Sequence, residues 1–155
     1  MDIGHFYFLK DEYYERFFEC GLLMNKGEHH KRPCFYAFQD GKTELFWLVP
    51  LSSKVDKYRK IYEHKISNNR KCDTIVFGEF LGKENVFLIQ NICPVSDEYV
   101  ECEYVVTKDK VPAKINALLE TEIITKAKRV IALARHGVKV VYPDILKMEL
   151  ELLGK

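Results

Sequence analysis

Two adjacent hydroxyls, Ser52 and Ser53, stand directly before Lys54 at the end of the apolar run Trp47-Leu48-Val49-Pro50-Leu51. Hydroxyl donors beside an ammonium, on a turn that exposes backbone N–H groups, make a cradle for a phosphate. The structural alternative makes Ser52 the N-cap of a helix beginning near Lys54. The two are compatible, because a helix N-terminus attracts anions. On an RNA phosphate such a site can promote transesterification without a metal: the adjacent 2′-OH attacks, the 5′-oxygen leaves, and the ends are a 2′,3′-cyclic phosphate and a 5′-OH. The protein must align the 2′-OH, stabilise charge on the phosphoryl oxygens and protonate the leaving oxygen. A serine hydroxyl is a poor base at neutral pH, so Ser52 and Ser53 are expected to hydrogen-bond the phosphate or the 2′-OH. Lys54, with Lys31 or Arg32, would stabilise the charge. Histidine as a residue type suits acid–base work near neutral pH, which makes His64 and the His29-His30 pair candidates, and each also reads as a solvated surface residue.

Downstream, Lys57, Tyr58, Arg59, Lys60, Tyr62, Lys65, Asn69, Arg70 and Lys71 interleave cations with aromatics and an amide. Cations contact phosphates and tyrosines stack on unpaired bases, which is what single-stranded RNA demands. The alternative turns Tyr58, Ile61, Tyr62 and Ile66 toward the core of an amphipathic helix. Lys126, Lys128, Arg129 and Arg135 offer a second RNA face or a solvated stripe. Charge is segregated along the chain although 24 Lys+Arg nearly balance 23 Asp+Glu. Residues 54–71 hold seven bases and two acids, and residues 72–107 hold seven acids and only Lys83. Such blocks focus positive potential if they fold onto one face, and cancel if they do not.

The five cysteines, Cys20, Cys34, Cys72, Cys93 and Cys102, form no Cys-x-x-Cys pair. They read as reduced thiols, with Cys34 and Cys93 as small buried hydrophobes, and no structural zinc site or cofactor is expected. At 155 residues and 47% hydrophobic, the chain can bury one core. No apolar run approaches the ~20 residues of a membrane helix, and the N-terminus lacks signal-peptide features. A cytoplasmic protein without a membrane partner is expected.

The elements that must position these residues follow from periodicity. Residues 5–9 form an aromatic strand, and residues 10–20 carry Tyr13, Tyr14, Phe17 and Phe18 at helical spacing up to Gly21. Residues 34–39 and 43–49 are strands joined through Asp40-Gly41, a dipeptide that accepts positive φ. Pro50 is expected to break the second of them. Residues 74–80 and 86–92 make another hairpin around residues 81–85. Residues 113–135 are the longest helix, with Ile115, Leu118, Leu119, Glu122, Ile123 and Ala127 near its apolar rhythm, and a short helix follows Tyr142-Pro143-Asp144. This is an α+β chain: one compact domain over residues 1–155, with a curved, mainly antiparallel sheet flanked by helices including a long C-terminal one.

Val49-Pro50-Leu51-Ser52-Ser53-Lys54, preceded by the Asp40-Gly41 hairpin and followed by a basic segment, resembles the toxins of type III toxin–antitoxin systems, closest to the CptN branch of the ToxN/AbiQ-like family. The aromatic first strand, Lys31-Arg32-Pro33, the spacing of Ile89 to Pro94-Val95 and the long C-terminal helix extend the likeness along most of the chain. The resemblance implies a metal-independent, sequence-preferring endoribonuclease that cleaves messenger RNA and arrests growth. It implies a small noncoding antitoxin RNA whose repeats the toxin trims into pseudoknots, which bind back in a closed toxin–RNA hetero-oligomer. Ser52 and Ser53 match the family's central pair directly. Relatives can place the following lysine one position later, where this chain has Val55, and both Lys31 and Arg32 are candidates for the cation before the second strand. Two other readings remain. One is a non-catalytic RNA-binding module. The other is an enzyme with a serine or cysteine nucleophile, which the absence of a Gly-x-Ser-x-Gly elbow disfavours.

Overall fold

Seven-residue strand β3, Phe46–Ser52, organises the sheet because both of its edges are paired. One edge lies along β2, Cys34–Gln39. The other pairs first with β6, Cys93–Val95, and then with β5, Lys83–Leu88. The computed structural model describes residues 1–25, 31–69, 71–106 and 108–154. In it the main sheet runs β4-β5-β3-β2-β1-β7, with β6 added beside β3. The remaining strands are β1, Phe6–Leu9, β4, Ile75–Phe80, and β7, Val100–Glu103. Every pairing is antiparallel. A separate two-stranded ribbon joins β8, Val105–Val106, to β9, Val111–Pro112. The chain is thus an α+β domain with a mainly antiparallel sheet, as its pattern predicts. Among the described residues, no helix is long and apolar enough to cross a membrane.

Pro50 does not break β3. The Leu51 N–H donates to the Pro33 carbonyl at 3.1 Å, on the β2 side, so alternation turns the Pro50 nitrogen toward the opposite edge. There β6 stops opposite Leu48, β5 begins opposite Leu51, and a 3-10 turn at Ile89–Asn91 fills the interval. A residue with no N–H to donate fits where no acceptor strand runs. The same switch ends the expected strand 86–92 at Leu88, and the turn that follows leads into β6. The first hairpin differs too. Asp40 Oδ1 accepts from the amides of Lys42, at 2.8 Å, and Thr43, at 3.3 Å, and Glu44, not Gly41, takes the positive φ. Between β4 and β5, Leu81 and Gly82 both have positive φ, the backbone of a two-residue hairpin turn.

Alternation along β3 sorts its side chains. Trp47, Val49 and Leu51 face the main core, where helix α3, Ala117–Arg135, lays down Leu119, Ile123, Ala127, Val130, Ile131 and Ala134. Each of the Leu, Ile and Val side chains among them, fully buried, contributes about 1.5–3 kcal/mol. The helix starts at the Asn116 cap, whose Oδ1 accepts from the Leu119 N–H. That is later than the apolar rhythm suggests, and it leaves Leu118 exposed. Gly78 admits α3 to the sheet: a Cβ there would lie 2.2 Å from Leu119. The other face carries two smaller cores. Helices α1, Asp11–Arg16, and α4, Ile145–Leu152, cover Tyr7, Leu9, Tyr36, Leu48 and Val95. Helix α2, Val55–Asn69, covers Ile75, Val86 and Leu88. Pro50 and Ser52 lie on the seam between these two.

Candidate active site at the β3–α2 junction

Ser52 is the last residue of β3, paired opposite Val86, and is 4% exposed. Its Oγ accepts the Lys54 N–H at 3.2 Å. Ser52 therefore holds the turn two residues before α2 and is not the helix N-cap. Ser53 is exposed, and its carbonyl accepts from Val55 N–H at 2.9 Å. Lys54 is exposed, and its carbonyl takes the first helical bond, from Tyr58. The turn thus presents Ser53 and Lys54 outward above the first-turn amides of α2, the positive end of that helix.

Arg32 comes to this turn from across the β2–β3 ladder. It is 9% exposed, its backbone N–H donates to Asn25 Oδ1 at 2.8 Å, and its guanidinium donates to the Leu51 carbonyl at 2.6 Å. Its Nε is buried and has no partner among the described residues. Lys31 goes elsewhere. Its ammonium is held by the Glu101 carboxylate, which raises its pKa above the ordinary lysine value. Of the two cations left open before the second strand, only Arg32 is hydrogen-bonded to the Pro50-Leu51-Ser52 segment. The anchor Asn25 and the competitor Glu101 were not foreseen. Nothing local marks Asn25, and Glu101 signals only through the acidic block it belongs to.

The structure does not bring His64 to the serines. At about 1.5 Å of rise per residue it stands roughly 15 Å along α2 from Lys54, where its Nε2 meets the Asn68 amide at 3.1 Å. His29 and His30 lie outside the described residues, as does Arg70. Tyr58 is 6% exposed in the core beneath α2, so its ring is not offered to a base. Tyr62 packs edge-on against Phe77 at 5.4 Å.

Part of the basic block meets the acidic one. Arg59 pairs with Glu84 and lies 4.2 Å over the Phe77 ring. Asp73 receives Lys71 at 3.7 Å and Arg129 at 3.0 Å. Lys126 pairs with Glu122 at 2.8 Å, and Lys65 donates to Thr74 Oγ1 at 3.1 Å. Asn69 ends α2. Among the described residues, Lys54, Lys57 and Lys60 have no carboxylate within 4.0 Å. Lys57 and Lys60 share the exposed face of α2 with His64 and Asn68, at the spacing of one helical stripe. Among the described residues, unpaired positive charge thus continues from Lys54 at the serine turn along the stripe of Lys57 and Lys60 leading away from it. No known family and no curated protein matches the chain.

Proposed function

We propose that the β3–α2 junction binds an RNA phosphate and promotes its transesterification, so that the protein is an endoribonuclease toxin. It cleaves messenger RNA and trims its own repeated antitoxin RNA, whose pseudoknots bind back over the same turn in a closed assembly. The observation that carries this reading is the Arg32 guanidinium, nine-tenths buried, tethered to the Leu51 carbonyl and without a partner for Nε among the described residues. A buried cation with so little compensation is costly unless an anion meets it, and a guanidinium is the group best shaped to receive a phosphate. Arg32 and Lys54 stabilise charge on the phosphoryl oxygens, and Ser53 Oγ hydrogen-bonds the phosphate or the 2′-OH. Ser52 holds the turn while its hydroxyl hydrogen stays available. Lys57 and Lys60 track the strand along α2, with His64 and Asn68 on that stripe. With His64 so distant, the rate rests on positioning and charge stabilisation.

A second reading, a non-catalytic RNA-binding module, is favoured by one observation. Among the described residues, no histidine or carboxylate is hydrogen-bonded to Ser52 or Ser53 or paired with Lys54. Inducible expression of the wild type and Ser53→Ala, with sequencing of new 5′-OH ends, separates the two. Recurrent cuts and growth arrest in the wild type alone are expected. Cuts of equal frequency in both would remove Ser53 from the site, and RNA copurifying without cuts in either would favour the binding module.

A further inference from the structure

A second chemical cluster lies at the β1–β7 edge of the sheet. Residues 2–5 fold back on β1: the His5 N–H donates to the Asp2 carbonyl at 3.2 Å, the Asp2 N–H donates to the Tyr7 hydroxyl at 2.7 Å, and the Gly4 N–H donates to the Tyr36 carbonyl at 2.9 Å. This turn sets the Asp2 carboxylate and the His5 imidazole beside Glu103, the last residue of β7. His5 Nδ1 is hydrogen-bonded to Glu103, and Asp2 Oδ2 lies 3.9 Å from that same nitrogen. One ligand atom from each of the three residues lies within 4.8 Å of the others. Glu120, from the first turn of α3, presses on the turn from the other side. A Cβ at Gly4 would lie 2.6 Å from its carboxylate, and Gly4 has φ +86°. Glycine takes that φ without strain, and its missing Cβ leaves room for the Glu120 carboxylate.

The cluster's charge is unbalanced. Among the described residues, none of Asp2, Glu103 and Glu120 has a Lys or Arg within 4.0 Å, whereas Asp40, Asp73, Glu84, Glu101 and Glu149 all do. Among the described residues, the basic group that meets Asp2 and Glu103 is one imidazole, that of His5.

We infer that Asp2, His5 and Glu103 form a site for a divalent cation of borderline softness, such as Zn²⁺ or Co²⁺. One imidazole nitrogen and two carboxylate oxygens are ligands of that class, with water completing a tetrahedron. Bonds of about 2.1 Å place ligand atoms roughly 3.4 Å apart in a tetrahedron, near the 3.9 Å between Asp2 and His5. The ion enters by replacing the hydrogen bond between His5 and Glu103, and Glu120 adds negative charge behind the turn. The metal clamps the N-terminal turn to β7, the edge strand of the sheet. Residue spacing hides this site, because two ligands lie before β1 and the third lies about a hundred residues on.

The test is Co²⁺ titration of the full chain after chelator treatment, followed by Zn²⁺ competition and thermal melts. Expected are visible ligand-field absorption saturating at one Co²⁺ per chain, no thiolate charge-transfer band, and a melting midpoint that rises with Zn²⁺. His5→Ala and Glu103→Gln should each abolish the absorption and the Zn²⁺-dependent rise, and Asp2→Asn should weaken binding at least tenfold. Because the His5–Glu103 pair also joins the N-terminal turn to β7, the variants are compared with chelator-treated wild type, whose midpoint they should match within a few degrees. Absent absorption and an unmoved midpoint at hundredfold metal would overturn the site. So would binding that survives His5→Ala, or a thiolate band, which would move the metal to other histidines or to a cysteine.

Discussion

Replacing Arg32 by Met asks whether a buried cation serves the fold or the chemistry. Among the described residues the wild-type guanidinium donates one hydrogen bond, to the Leu51 carbonyl at 2.6 Å, and a bond to a charged group contributes about 1.5–3 kcal/mol. Against this stands the desolvation of an ion in a residue 9% exposed, with no partner for Nε among the described residues, a penalty of several kcal/mol for an isolated buried ion. The two nearly cancel. Met keeps most of the apolar stem, so Arg32→Met should change unfolding stability by no more than about 1 kcal/mol in either direction. Its effect on function should be much larger. Loss of one preorganised donor to a transition-state oxyanion costs about 10²–10³ in rate, so cleavage of a defined RNA should fall by about that factor under single-turnover conditions. Arg32→Lys retains charge but not the planar fork, and should recover only part of the rate. Urea unfolding followed by Trp47 fluorescence, beside the cleavage assay, measures both quantities on the same samples. A variant destabilised by 3 kcal/mol or more that cuts at the wild-type rate would make Arg32 a structural residue and refute the argument.

Three further outcomes follow from the geometry. Lys57→Glu with Lys60→Glu should lower RNA affinity and flatten its salt dependence by about 1.4 in log–log slope if each lysine contacts one phosphate of a single strand, whereas reversing the already paired Arg59 should do less; equal slopes, read by fluorescence anisotropy, would take the stripe out of the interface. Arg135 joins Asp40, at 2.5 Å, to Glu149, at 2.6 Å; burial alone would raise the Asp40 carboxyl, but Arg135 and the amides of Lys42 and Thr43 outweigh it and hold it below its ordinary value. That stability is present above the unfolded carboxyl pKa of ~3.9 and is lost as pH falls through the lower folded value. Arg135→Met should therefore cost about 2–3 kcal/mol at pH 7, less than a fully buried pair because Arg135 is 39% exposed, and the deficit should narrow below about pH 4; a deficit that is unchanged in urea melts at pH 7 and pH 3.5 would exclude the ionic explanation. Among the five thiols, Cys102 alone is exposed, and burial pushes Cys93 up to about 11 and Cys34 higher still; a thiol reagent should give one fast phase, absent in Cys102→Ser, and a fast phase from two or more thiols would contradict the packing.

Local pattern was enough for the elements. Residues 34–39 read as a strand and form one with the same bounds, because alternation and aromatic content act over a few residues. The long helix, its end before Gly137 and the Asp144 start of α4 follow from capping and periodicity of the same short range. The serine turn with Lys54 was visible because its residues are contiguous. Pairing across the fold decided the rest. Pro50 stays inside β3 because a neighbouring strand ends there, which no window around Pro50 contains. Tyr58 was ambiguous between core and base stacking until the sheet beneath α2 claimed it. The choice between Lys31 and Arg32 turned on Glu101, seventy residues away, and the basic block lost Arg59 to Glu84 and Lys71 to Asp73. The sequence by itself thus determined which residues could carry the chemistry. Only the tertiary structure decided which of them keep their charge available, because Coulomb energy depends on distance in space and the chain records distance along itself.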